Sequence, residues 1–178
     1  MLSAGLLVLR VVLGLYLFGH GAQKLFGWFG GSGLAKTTAG MGHMGFRPPQ
    51  VAALLSSGAE TAGGVATALG LLSPLGPIAI AATMVVAGWT HVGRGVWGKD
   101  GGFELPLTYL AAAAALSLAG DGRVSLDAAL GIALPEPATL LIFGALAALG
   151  VAVMLLARRA TPTAAQAHTT DRQATQTA

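Results

Sequence analysis

Residues 138–157 read ATLLIFGALAALGVAVMLLA, twenty residues without a charge, and the run is closed by Arg158 and Arg159. An α-helix rises about 1.5 Å per residue, so about 20 apolar residues cross the hydrocarbon core of a bilayer. The rest of the chain has the same character. Of its 178 residues 54% are hydrophobic and 10% charged, where soluble domains carry about a quarter charged residues, and the mean hydropathy is +0.71. A water-soluble enzyme domain is excluded, and an all-α polytopic membrane bundle is predicted. Cysteine is absent, so the chain has no disulfides, thiolate metal sites, iron–sulfur ligands or thiol redox chemistry of its own.

Working back from that run, four more spans are predicted, at about 2–26, 51–72, 78–97 and 103–119. The first is not a cleaved signal peptide: no basic residue precedes it, Arg10 interrupts it and no small-x-small cleavage site follows. A Gly-rich hydrophilic loop, residues 27–50, separates spans one and two. The sequence Ser73-Pro74-Leu75-Gly76-Pro77 forces a tight helical hairpin between spans two and three. Residues 120–137 contain an apolar stretch too short to cross, with Ser125 as a helix cap and Asp127 near the helix dipole; this reads as an interfacial helix. Residues 1–137 thus form the bundle, 138–157 the fifth span, and 158–178, rich in Thr, Ala and Gln, a disordered cytoplasmic tail.

Lys and Arg fix the expected orientation. With five spans and the tail inside, Lys24, Lys36, Arg47, Arg94, Lys99, Arg158, Arg159 and Arg172 fall on the inner side and Arg123 alone on the outer. The N-terminus is expected outside and the C-terminus inside.

Ionisable groups at membrane depth are costly and so mark function unless a structural role accounts for them. At about 1.5 Å per residue, His20 and His91 lie about 9 Å from the inner boundary, Glu60 about 13 Å in, and Glu104 at the boundary. These four, from four helices, make one inner-leaflet layer and are the candidate catalytic residues. Lys24, Arg94 and Trp97 point to the same rim and are candidates for cofactor binding, although snorkelling and the aromatic belt also account for them. Structural alternatives stand beside the others too. Glu60 can pair with a cation or a histidine in the bundle, the histidines can be packed and hydrogen-bonded, and Arg10 is expected to snorkel to the outer headgroups. Gly14, Gly19, Gly21, Gly63 and Gly64 are expected to let helices approach closely. No His-x-x-x-His or Glu-x-x-His spacing supports a metal, and nothing supports nucleic-acid binding.

The exit of the first span, His20-Gly21-Ala22-Gln23-Lys24-Leu25-Phe26-Gly27, resembles the opening of DoxX-type membrane proteins. The resemblance continues through Glu60 with Gly63-Gly64, His91 with Gly95-x-Trp97, Gly102-x-Glu104-x-Pro106-Leu107, and Gly120-Asp121-Gly122-Arg123 with Ser125-Leu126-Asp127. It covers roughly residues 5–130, so the fifth span and tail extend beyond it. It implies a four-helix core in the bacterial cytoplasmic membrane and a membrane subunit or anchor of a quinone-linked oxidoreductase or oxidative-stress redox complex. A quinone is then the implied cofactor, and a soluble or membrane oxidoreductase the implied partner. The alternatives are a small-solute or proton-coupled transporter using the same polar layer, and a non-catalytic scaffold whose inner loops dock a soluble protein.

Overall fold

A computed structural model describes residues 1–158; the tail expected from 158 onward lies, past Arg158, outside the described residues. Helix α1 spans Leu2–Leu25, α2 Gly33–His43, α3 Pro49–Leu69, α4 Leu75–His91, α5 Glu104–Ala119, α6 Leu126–Leu130 and α7 Ala138–Leu156. Among the described residues three stretches are long and apolar enough to cross a membrane: α1, residues Leu75–Arg94, and α7. Helix α5 is also apolar but shorter. Helix α3 has the length, at 21 residues, but carries Ser56, Ser57, Glu60 and Thr67, all buried. Contacts with α1, α2 and α4 shelter that polar face. The chain is a helical membrane bundle.

Lipid tails are as apolar as leucine, so helices in a bilayer associate through close packing and internal hydrogen bonds rather than hydrophobic burial. The α1–α3 crossing depends on this. A Cβ at Gly14 would stand 2.5 Å from the Gly64 carbonyl oxygen, and one at Gly64 would stand 2.5 Å from the Phe18 nitrogen. Gly19, expected in the same role, takes no part, since a Cβ there meets nothing within 4 Å. Behind the crossing, Leu13 and Leu17 of α1 pack with Ile80 and Met84 of α4 and Ala113 and Leu116 of α5. Most hydroxyls in the spans bond to their own helix: Thr61 donates to Ser57 O, Thr83 to Ile80 O and Ser117 to Ala113 O. They call for no ligand.

Three sequence readings change. The loop at 27–50 contains α2, which packs on α1 and α3; its three glycines, Gly33, Gly40 and Gly42, hid its helical period. Helix α4 ends at His91 rather than near Trp97, because Gly93 and Gly95 follow and the latter has φ +81°. Arg10 does not snorkel. It is 2% exposed, donates to Ala68 O at 3.1 Å, and makes a second bond to Val124 O.

That second bond belongs to a polar corner at the end of the bundle opposite His91. Asp127 takes two backbone N–H groups of the α3–α4 turn, Leu72 N on Oδ1 and Ser73 N on Oδ2, each at 2.9 Å. Its own N–H donates to Gly70 O. Ser125 caps α6 by accepting from Ala128 N at 3.2 Å. Asp121 lies buried beside them. Burial pushes its carboxyl up from the usual range, and neighbouring Ser73 and Arg10 offset this only in part; its Oδ1 has no hydrogen-bond partner.

Helix α7 leans on α4 and sets Val151, Met154 and Leu155 against the cluster around Phe46 and Val86, although 6% of its apolar window is buried. Its far end is tied down: Arg158 Nε donates to Met44 O at 2.8 Å, and the guanidinium sits 5.2 Å from the centroid of the Phe46 ring.

Candidate functional site

The two residues of α1 that the sequence singles out, His20 and Lys24, are four apart and share one face of the helix. That face meets Glu60, which α3 holds at 1% exposure. Lys24 Nζ lies 2.7 Å from each Glu60 carboxylate oxygen. A buried carboxylate without a counter-charge would cost several kcal/mol, so Lys24 makes this buried acid tenable. The Lys24 side chain is itself 35% exposed and leads the pair toward the aqueous rim.

Two cavities meet at this pair. The first, about 350 Å³, is bounded by His20, Lys24, Glu60, His91 and Tyr109 with Leu17, Met84 and Pro106. The second, about 320 Å³, is bounded by Lys24, Glu60 and His91 together with Thr37 and Met41 of α2, Phe46, and Thr83 and Thr90 of α4. Lys24, Glu60 and His91 therefore form the partition between them.

His91 ends α4, and its Nδ1 lies 2.8 Å from Gly101 O. A carbonyl only accepts, so Nδ1 carries the hydrogen and Nε2 keeps a lone pair in the neutral ring. The loop that supplies this carbonyl is closed on itself: Gly102 N donates to Trp97 O, Phe103 N to Gly95 O and Glu104 N to Val96 O. The glycines and aromatic of Gly95-x-Trp97 and Gly102-x-Glu104 thus build the clasp that orients His91.

The predicted layer is only partly assembled. His20, Glu60, His91 and Lys24 come together around the first cavity. Glu104 does not join them: it is exposed, and its Oε2 accepts from Gly98 N at 2.7 Å, stapling the clasp. Trp97 is 62% exposed at the rim, and the Arg94 side chain lies over Gly101. The sequence reading missed Tyr109, whose ring centroid lies 6.2 Å from that of His20 and 6.5 Å from that of Tyr16. A phenol in an apolar span was the available signal, obscured because it bears no charge. Among the described residues no group of three or more His, Asp or Glu is placed to hold a metal ion.

The first cavity thus offers hydrogen-bonding side chains (Tyr109, His20, the Lys24–Glu60 pair) above an apolar wall. Leu17 and Met84 form that wall. Compared with known proteins, the chain matches the DoxX family over residues 5–93, half of its length. The similar motifs at 102–107 and 120–127 lie beyond that match. No curated protein and no solved structure matches the chain.

Proposed function

Since the chain belongs to the DoxX family of multi-pass membrane proteins, we propose that it is the membrane subunit of a quinone-linked redox assembly, with a quinone head group held in the cavity between α1, α3, α4 and α5. The observation that carries this reading is the convergence of His20, Lys24, Glu60, His91 and Tyr109 on one cavity inside an apolar bundle. Bound there, a quinone supplies two-electron, two-proton redox chemistry. The protein's own part is acid–base. Tyr109 and His20 would hold such a head group by hydrogen bonds, and the Lys24 ammonium balances the charge of Glu60. His91 Nε2, oriented by the Gly101 carbonyl, takes up and passes on protons toward the rim. Without cysteine, electrons come from a partner oxidoreductase, which docks on the basic end formed by α2 and the 92–103 clasp.

Purification from native membranes in mild detergent, followed by quinone extraction and mass spectrometry of co-purifying proteins, tests this. The expected result is stoichiometric quinone that is lost in His20→Ala and Glu60→Gln. A wild-type preparation without quinone overturns the site. An oxidoreductase that co-purifies without quinone would leave the chain as an anchor.

The same proposal places the protein in the bacterial cytoplasmic membrane with its basic end inside, which the distribution of Lys and Arg supports. Because the chain lacks cysteine, single replacements report sidedness without background. Arg123→Cys should react with a membrane-impermeant maleimide in intact spheroplasts, and Lys36→Cys only after lysis; both positions are exposed. The reverse pattern refutes the orientation.

A further inference from the structure

On the outside of α1, one turn from the Lys24–Glu60 pair, a groove of about 390 Å³ is lined by Leu15, Tyr16, Gly19, His20, Gln23 and Phe29. Its rim faces the surroundings of the bundle: Leu15 is 58%, Tyr16 57% and Phe29 69% exposed. Two facts set it apart from ordinary helix surface. His20 borders both this groove and the inner cavity, so one imidazole faces the bilayer side and the polar interior. And the floor is a glycine that packing does not need. Gly14 and Gly64 are held small by backbone 2.5 Å away, whereas space at Gly19 is open. The open floor is what gives the groove its depth.

We propose that this groove is a lateral docking site through which the ring of a bilayer-dissolved quinone reaches His20. The inference rests on reading the inner cavity as a quinone site. Tyr16 and Phe29 supply aromatic edges and faces for a flat ring in the groove, and Tyr109 of the inner cavity lies 6.5 Å from Tyr16, centroid to centroid. Gln23 adds a polar group at the end nearer the rim; its Nε2 donates to Phe29 O at 3.4 Å, which holds Phe29 as the flap of the groove. A lipid acyl chain would fill the same space but has no use for His20 or Gln23. The occupant is therefore an apolar ring with hydrogen-bond acceptors, arriving from the side rather than from water.

Gly19→Leu is the test, because its side chain enters the groove while a Cβ there meets no atom of the fold within 4 Å. Gly5→Leu is its control: Gly5 lies on exposed α1 surface, also with nothing within 4 Å of a Cβ, and outside the groove. Each protein is reconstituted in phosphatidylethanolamine–phosphatidylglycerol vesicles and titrated with a short-tailed benzoquinone. Binding is read from quenching of tryptophan fluorescence, to which Trp28 next to Phe29 contributes; circular dichroism checks folding. Gly19→Leu should bind about tenfold more weakly than wild type and Gly5→Leu within about twofold. If Gly19→Leu binds like wild type while Glu60→Gln does not bind, the lateral site is overturned and the inner cavity stands. Equal weakening by Gly5→Leu also overturns it, since the groove would then have no special part. A wild type that binds no quinone overturns both readings.

Discussion

Replacing Lys24 by Met is expected to destabilise the bundle by about 3 kcal/mol, and replacing Glu60 by Gln by less than half of that. The two partners of this ion pair differ in shelter. Glu60 is almost wholly enclosed, so removal of Lys24 strands a buried carboxylate without its counter-charge. The Lys24 side chain is a third exposed, so its ammonium can turn to the rim when Glu60 loses its charge. The double replacement Lys24→Met/Glu60→Gln should recover most of the loss, because it removes the buried charge with its counter-charge. Thermal unfolding in detergent micelles, followed by circular dichroism, measures all three. Equal losses for the two single variants, or no recovery in the double, would contradict this account and move the pair's purpose from charge balance to packing.

At the other end of the molecule, Asp127→Ala should cost about 3 kcal/mol. Its carboxylate takes the Leu72 and Ser73 N–H groups, and a bond to a charged acceptor contributes roughly 1.5–3 kcal/mol. Asp127→Asn keeps one accepting oxygen and should lose about half as much. The damage should be local: with the α3–α4 turn released, amide exchange at residues 70–75 rises, while quinone binding at the far end is unchanged. A loss below about 0.5 kcal/mol would show that water satisfies those N–H groups as well as the carboxylate does.

How much of this could be read beforehand depends on range. The apolar spans were legible because length and lack of charge are local properties, and residue 60 stood out because an acid among Ala, Gly and Thr is anomalous by itself. The partner of Glu60 is 36 residues away, yet Lys24 was within reach of a depth argument. Arg10 was not. Its acceptors are backbone carbonyls, one of them 114 residues along the chain, and a carbonyl leaves no mark in a sequence. Glu104 was misplaced for a related reason: its acidic character is visible, but the backbone N–H of Gly98 that holds it is not. Residues 92–97, Val-Gly-Arg-Gly-Val-Trp, read as the end of the third span on the strength of Val96 and Trp97, whereas Gly93 and the positive φ at Gly95 mark a helix that has already stopped.

The lock at Arg10 also says something about how the protein is made. Arg10 leaves the ribosome before Val124, one of its two acceptors, which follows 114 residues later. At about 5–20 residues per second the interval is on the order of 10 s. Through that time a guanidinium in the first helix lacks its final partner, at a cost of roughly 3 kcal/mol for an arginine at the helix centre on insertion scales. The first helix therefore has to wait in a place where a charge is tolerated, at the lateral opening of the insertion machinery or near the headgroups. It settles to its final depth only when the last piece of the corner arrives, so synthesis order makes residues 120–127 the step that seats the first helix.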